Sequence, residues 1–314
     1  MHNDQTTRPK IAISACLLGH EVRYNGGHKA STLCRVALAR HFDFAPICPE
    51  VAIGLGTPRE PIRLVGDPAA PRAVGTVDRE RDVTQALADY GQAMASSHND
   101  IAGYIFMQQS PSCGVERVKV YQANGMPAEK SGRGIYANAF CSARPDLPVE
   151  EDGRLNDPVL RENFITRVYA YARWQTLLKA GLTRHAIISF HASYKYQLMA
   201  NHPQQYRELG RMQDANLIGP QYFSQLMQAL KKTATRRTHT NVLKHLSGYL
   251  RPALSADERS EIHQVIHQYR EGIVPLVVPM TLLKHHFRRN PQPYIALQAY
   301  MQPHPEDLSL RNAI

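Results

Sequence analysis

Lys10–Gly19 reads KIAISACLLG, and this stretch decides the architecture of the first half of the chain. The run from Lys10 to Ala15 is short, apolar and flanked by a turn-forming glycine, which suits a strand buried on both faces of a parallel sheet. Phe44–Ile47 repeats the pattern and ends at Cys48, as the first run ends at Cys16. Ile101–Met107 (IAGYIFM) is a third strand, followed by the turn-rich Gln108–Gly114 that holds Cys113. Helical spacing lies between them. Ser31 stands where it can cap a short helix through Arg40, and Asp78–Ser97 puts Val83, Ala86, Leu87 and Tyr90 on one face. Strands alternating with helices predict an α/β domain with a largely parallel sheet.

The second half follows another rhythm. Asp157–Ala180, Thr183–Asn201, Pro220–Thr233, Ser255–Gly272 and Thr281–Arg289 all carry helical spacing, with breaks at Gly181, Pro203, Gly219–Pro220, Pro252 and Pro291. Strand signals are nearly absent, so an all-α domain is expected. The Pro-, Gly- and acid-containing stretch Arg144–Asp157 is the expected join, which gives domains of about 1–150 and 151–314. A chain of 314 residues is long enough for two such cores.

Charge separates the halves as well. Residues 1–150 hold 16 basic against 15 acidic side chains, whereas residues 151–314 hold 21 against 12. Such a surplus suits a polyanionic partner, and an inert basic surface is the competing explanation. No apolar run approaches bilayer length, and Met1–Lys10 lacks the apolar centre of a signal peptide, so a cytoplasmic location and no membrane partner are expected. No obligate protein partner is predicted.

The five cysteines sort into two groups. Cys16, Cys48 and Cys113 each follow a strand, and sites in open α/β sheets form beyond the carboxyl ends of strands. Three thiols far apart in sequence can meet there, with Gly19 and Gly114 letting the backbone pass close to a bulky metal centre. Cys34 and Cys141 lie within helical patterns and read as structural thiols. Three thiolates suit an iron–sulfur cluster or a zinc ion with a fourth ligand, and the spacing alone leaves both open.

The motifs around these cysteines, S-A-C-L-L-G (Ser14–Gly19), R-Y-N-G-G (Arg23–Gly27), C-P-E (Cys48–Glu50), G-L-G-T-P-R-E-P (Gly54–Pro61) and S-P-S-C-G (Ser110–Gly114), resemble the thiouracil desulfidase (TudS) family. In the second half, F-H-A-S-Y-K (Phe190–Lys195), N-V-L-K-H-L-S-G-Y (Asn241–Tyr249), V-P-L-V-V-P-M-T-L-L-K-H-H (Val274–His286) and L-S-L-R-N (Leu308–Asn312) resemble the helical domain often fused to it. The fused arrangement is similar to the tRNA 4-thiouridine desulfidase (RudS) family. One position departs: Val22 stands where relatives often have a cysteine before the R-Y pair.

The resemblance implies a 4Fe–4S cluster held by Cys16, Cys48 and Cys113, with one iron open to a thiocarbonyl sulfur, and catalytic roles for Glu50 and Ser110. Glu50 is expected as general base and proton shuttle, with Ser110 orienting water or relaying a proton. Without the resemblance, a helix-capping or ion-paired Glu50 and a turn-forming Ser110 are the simpler assignments. Arg23, Tyr24 and Arg59 are expected to line the substrate pocket, with Arg63 a further candidate beside them.

The implied substrate is 4-thiouridine in tRNA, desulfurised to uridine. Lys231, Lys232, Arg236 and Arg237, with Lys284, Arg288 and Arg289, are the expected contacts to its backbone. Tyr194, Tyr196 and Tyr249 are available for stacking, but tyrosines on helices are more often core. The i,i+4 pair His263 and His267 has no third ligand in view and is not expected to bind metal. Competing functions are desulfuration of free thiouracil or thiouridine nucleotides, a hydro-lyase built on the same three-cysteine cluster, and a zinc-stabilised RNA-binding protein without catalysis.

Overall fold

A computed structural model describes residues 8–129, 131–211, 219–308 and 310–314. The chain divides into two compact units, Met1–Asn156 and Asp157–Ile314.

In the first unit, β1 (Lys10–Ser14), β2 (Asp43–Ile47), β5 (Gly103–Phe106) and β7 (Val149–Glu151) form a four-stranded sheet in the order β2-β1-β5-β7. Every pairing in it is parallel, with Ile11 opposite both Phe44 and Gly103. Ile11, Ala12 and Ile13 are fully buried because β1 is central and covered on both faces, which is why its sequence does not alternate. Cys16 follows β1 in a single helical turn, Ala15–Leu18, and Cys48 follows β2 directly. Gly19 closes that turn at φ 96°, a conformation strained for any residue with a Cβ.

The remaining elements of this unit are α1 (Pro49–Ala52), β3 (Ile62–Asp67), β4 (Ala70–Gly75), α2 (Thr84–Ser97), β6 (Val120–Tyr121) and α3 (Ile135–Ala143). β3 pairs antiparallel with β4 and parallel with β6 in a second sheet that the sequence reading missed. That reading also started the 78–97 helix too early. The helix begins at Thr84, because Asp82 bridges to Val74 and its carboxylate accepts from the Thr84 N–H. The buried face is Leu87, Gly91, Met94 and Ala95, so Ala86, assigned to it, is exposed. The predicted join 144–157 holds the edge strand β7, and the division falls after Asn156. Leu33–Ala37 and Leu38–Arg40 form the expected short helical segment, and Ser31 Oγ accepts from the Cys34 N–H at 3.3 Å. Cys34 is fully buried there.

The second unit is helical throughout its described residues: α4 (Pro158–Ala180), α5 (Arg184–Asn201), α6 (Pro203–Arg211), α7 (Pro220–Lys231), α8 (Arg236–Gly248), α9 (Ala256–Arg270), α10 (Val277–Arg289) and α11 (Pro293–Ala296). Side-chain caps start most of the long ones: Asp157 for α4, Thr183 for α5, Thr235 for α8 and Ser255 for α9. Three of these helices, α6, α8 and the short α11, lie outside the stretches expected to be helical. The start of α8 is a Thr235–Thr238 capping box, a weaker signal than the usual Ser/Thr-x-x-Glu.

Two apolar clusters hold the unit. One surrounds Trp174, which stacks on Phe223 at 4.7 Å between ring centroids, and the other gathers Leu246, Ile262, Tyr269 and Leu283. Tyr194 and Tyr196 are core residues, not stacking platforms. Polar ties matter at one turn in particular. The amide nitrogens of buried Asn163 and Asn201 both donate to the carbonyls of Leu230 and Lys232, which satisfies the end of α7 and fixes the turn into α8. No helix among the described residues is long and apolar enough to cross a membrane.

Candidate active site

The carboxyl ends of β1, β2 and β5 open onto one cavity of about 360 Å³. Cys16, Cys48 and Cys113 all line it, so three thiols carried by separate strand ends converge. Glu50, Ser110, Arg23, Tyr24 and Arg59 line it too, together with Lys29, Gln108 and Gln109, which the sequence reading had not singled out. Cys34 and Cys141 are not in the lining.

Each wall has a local cause. Cys48 takes the N-cap position of α1, with Pro49 at its first residue, so Glu50 enters the first turn with its side chain at the cavity. Gln109 adopts a left-handed φ of 57°, which turns the chain out of β5 into the S-P-S-C-G loop. The first turn of α3 then pins that loop: Ile135 N–H donates to Pro111 O and Ala137 N–H donates to Ser112 O. Position 22, where a cysteine was missing, contributes its backbone instead. The Val22 carbonyl accepts from Cys48 Sγ at 3.7 Å and from Arg59 Nη1 at 2.9 Å.

Glu50 is held by a chain of polar contacts. Arg59 reaches Oε2 with Nε at 2.9 Å and Nη2 at 2.5 Å. The remaining Arg59 bonds go to the carbonyls of Val22 and Gly56 and to Thr57 Oγ1, so this arginine positions the carboxylate and has little left for a phosphate. Glu50 Oε1 accepts from Ser112 Oγ, and Ser112 Oγ lies 3.0 Å from Ser110 Oγ. Ser110 Oγ also accepts from the Cys113 N–H at 3.1 Å. Ser110 is thus both a turn former and the cavity-facing end of a Ser110–Ser112–Glu50 hydroxyl chain. Ser112, fully buried, was missed. Its signal was the Ser-Pro-Ser spacing, in which a proline folds two hydroxyls together.

Arg23 and Tyr24 stand on the same wall, with the guanidinium 5.9 Å over the ring, and Tyr24 is 42% exposed. Arg63 lies over Tyr121 at 5.4 Å instead and is not in the lining.

The three thiols are poor acids here. Burial pushes Cys16 up to about 11, with the Cys48 charge adding to it. Burial also raises Cys48, and it raises Cys113 further, reinforced by the Glu50 charge. Protons stay on all three at neutral pH unless a cation replaces them. Among the described residues of the lining, the donor set is three soft sulfurs and no histidine. Such a set suits an iron–sulfur cluster, with a zinc ion completed by a further ligand as the alternative.

Comparison with known proteins bears directly on this arrangement. Residues 11–152 match the family model for 2-thiouracil desulfurase, and residues 195–305 match a protein family of unknown function, DUF1722. The chain belongs to the 2-thiouracil desulfurase family. YbbK, an uncharacterized protein of Bacillus subtilis, is 34% identical over 153 residues, which are 47% of this chain and 98% of that one. YbgA, an uncharacterized protein of Escherichia coli, is 31% identical over 159 residues, 48% of this chain and 94% of that one. Among solved structures, the [4Fe-4S]-dependent thiouracil desulfidase TudS is 28% identical, covering 47% of this chain and 93% of its own, with a TM-score of 0.35. The desulfurase region of the chain holds the whole three-thiol cavity.

The basic residues expected to meet RNA all lie in the second unit. Lys231, Lys232, Arg237, Arg288 and Arg289 are exposed. Arg236 donates to the Tyr269 carbonyl at 3.1 Å and lies over the Tyr269 ring, so it ties α8 to α9. Lys284 is ion-paired with Glu306.

Proposed function

We propose that this desulfurase-family enzyme removes sulfur from 4-thiouridine in tRNA, with water supplying the oxygen of the uridine product and sulfide leaving. Three thiols and an oriented carboxylate sharing one cavity carry the reading. In it, Cys16, Cys48 and Cys113 hold a 4Fe–4S cluster. When bound, the cluster supplies a Lewis-acidic iron, free of protein ligands, with affinity for the thiocarbonyl sulfur.

The chain's own residues do the rest. Glu50 takes the proton of the water that attacks C4 of the base. Arg59 holds one carboxylate oxygen and keeps Glu50 aimed, while Ser112 holds the other. Ser110, at the cavity end of the hydroxyl chain, passes a proton between Ser112 and the ring nitrogen. Tyr24 and Arg23 offer a stacking face at the mouth. Cys16, Cys34, Cys48 and Cys113 form no disulfides, which suits a reducing cytoplasm.

The tRNA assignment draws support from the basic second half, since a free base has no need of that charge. The test is anaerobic reconstitution with iron and sulfide, followed by counting 4-thiouridine in tRNA before and after incubation, with free 4-thiouracil alongside. Broad visible absorption and loss of 4-thiouridine from tRNA are expected, and Cys16→Ala, Cys48→Ala or Cys113→Ala should remove both. Turnover of free 4-thiouracil with intact thiolated tRNA would move the substrate to the free base. A colourless, inactive protein would end the proposal.

A further inference from the structure

A second cavity, of about 310 Å³, lies in the helical unit. Its wall is a stripe of α8, Arg237, Asn241 and Lys244, spaced i, i+4 and i+7 on one helical face. Arg270, in the last turn of α9, faces it, and Pro203 at the start of α6 closes one side. Three cations therefore line a single concavity, and no acidic residue is among the described residues of its lining. Among the described residues, none of the three makes an ion pair or a side-chain hydrogen bond within the protein. Other surface cations of this chain do find partners, such as Lys284 with Glu306 and Arg154 with Glu150.

The cavity walls are braced. Arg236 clamps the start of α8 to the Tyr269 carbonyl, next to Arg270, and the Thr235–Thr238 capping box fixes the first turn of α8. Like charges held together in a fixed concavity repel one another and destabilise the unit unless an anion sits among them. An anion carrying more than one charge-bearing oxygen, met by two cations of α8 and one of α9, matches this arrangement. Two guanidinium forks and an ammonium are the usual recognition set for phosphate.

We propose that the cavity of Arg237, Lys244 and Arg270 is a phosphate-binding pocket, occupied by a backbone phosphate of the RNA substrate. The pocket rests on its own geometry, and only its occupant rests on the tRNA reading. Asn241 adds an uncharged donor beside the cations. The two threonines of the wall contribute less, since Thr238 Oγ1 and Thr240 Oγ1 already donate to the carbonyls of Thr235 and Arg236.

The test uses the full chain and the triple variant Arg237→Gln/Lys244→Gln/Arg270→Gln. All three residues are exposed, so the substitutions leave the core untouched. A control removes the same charge at Lys179, Arg184 and Arg251, exposed residues outside the cavity. Binding to tRNA is measured across a salt series. The pocket variant is expected to bind about tenfold or more weakly, with the slope of log affinity against log salt less steep by about one or more, while the control changes less.

A second arm measures the thermal midpoint in sodium phosphate against sodium chloride at matched ionic strength. A phosphate-dependent rise lost only in the pocket variant, with tRNA binding unchanged, keeps the phosphate pocket and assigns it to a small phosphorylated ligand. If the pocket variant and the control behave alike in both arms, the pocket is overturned. Because neither arm reads desulfuration, either result stands apart from the outcome of the 4-thiouridine count.

Discussion

Arg59 and Glu50 are joined through a single carboxylate oxygen, Oε2, reached by Nε at 2.9 Å and Nη2 at 2.5 Å. Both side chains are largely buried, at 4% and 14% exposure. The second oxygen, Oε1, is thereby left to Ser112 and to the cavity. On the proposed function, the carboxylate is held in place by one oxygen and would take the proton on the other.

Breaking this pair should affect both stability and turnover. Arg59→Ala leaves Glu50 buried without its counter-charge and strips the Val22 and Gly56 carbonyls of a donor. The expected cost is about 3–5 kcal/mol of stability in the desulfurase unit, read by urea unfolding of that unit's transition. Glu50→Gln preserves shape and keeps an acceptor for Arg59 but removes its counter-charge, so a smaller loss of stability than in Arg59→Ala is expected, while kcat falls about 10²-fold or more. An active Glu50→Gln enzyme would remove the base from the mechanism.

The two serines should separate. Ser112→Ala deletes the bridge to Glu50 but no backbone tie, so kcat should fall about tenfold or more, with the visible absorption of the reconstituted protein unchanged. Ser110→Ala removes the acceptor for the Cys113 N–H and is expected to cost both turnover and cluster retention. Equal absorbance in the two variants after prolonged incubation would contradict this division.

Acid should weaken the helical unit in two stages. Burial pushes His239 down to about 4, so the unfolded chain takes up this proton first and stability falls as pH drops from near 6.5 towards 4. Glu162 is buried, which alone would raise it, but Arg311 at 2.9 Å and then His304 outweigh burial and hold it at about 2. Its contribution is present above the ordinary carboxylate range and disappears as pH falls from about 4.5 towards 2. Urea midpoints of this unit measured between neutral pH and pH 3 should decline throughout, and Glu162→Gln should flatten the lower stage.

Asn201→Ala tests the turn between α7 and α8. It leaves the Leu230 and Lys232 carbonyls short of a donor and Gln197 Nε2 without its acceptor. A loss of about 1–3 kcal/mol is expected from unsatisfied buried groups, visible as a lower thermal midpoint of the helical unit.

The sheet was legible because β1, β2 and β5 announce themselves as apolar runs that end at cysteines, and the parallel order follows from the helices between them. The β3–β4 hairpin was not, since IRLVGD and APRAVG mix exposed and buried positions without clean alternation. In the helical unit, Asp157, Thr183 and Ser255 marked their helices, whereas α8 opens on Arg236-Arg237-Thr238, which reads as a charged break. At the site, the thiols and Glu50 carried their own chemistry in their motifs. Ser112 and the role of Arg59 did not, because both depend on contacts across 62 and 9 residues that only the folded chain creates.

The spatial order of the strands runs β2-β1-β5, whereas synthesis delivers β1, β2 and then β5. A growing chain therefore has only two of the three cavity thiols until residue 113 has left the ribosome and β5 has docked beside β1. On the proposed function, iron would enter only after that pairing has formed, so the timing of maturation would be set by one strand docking on another.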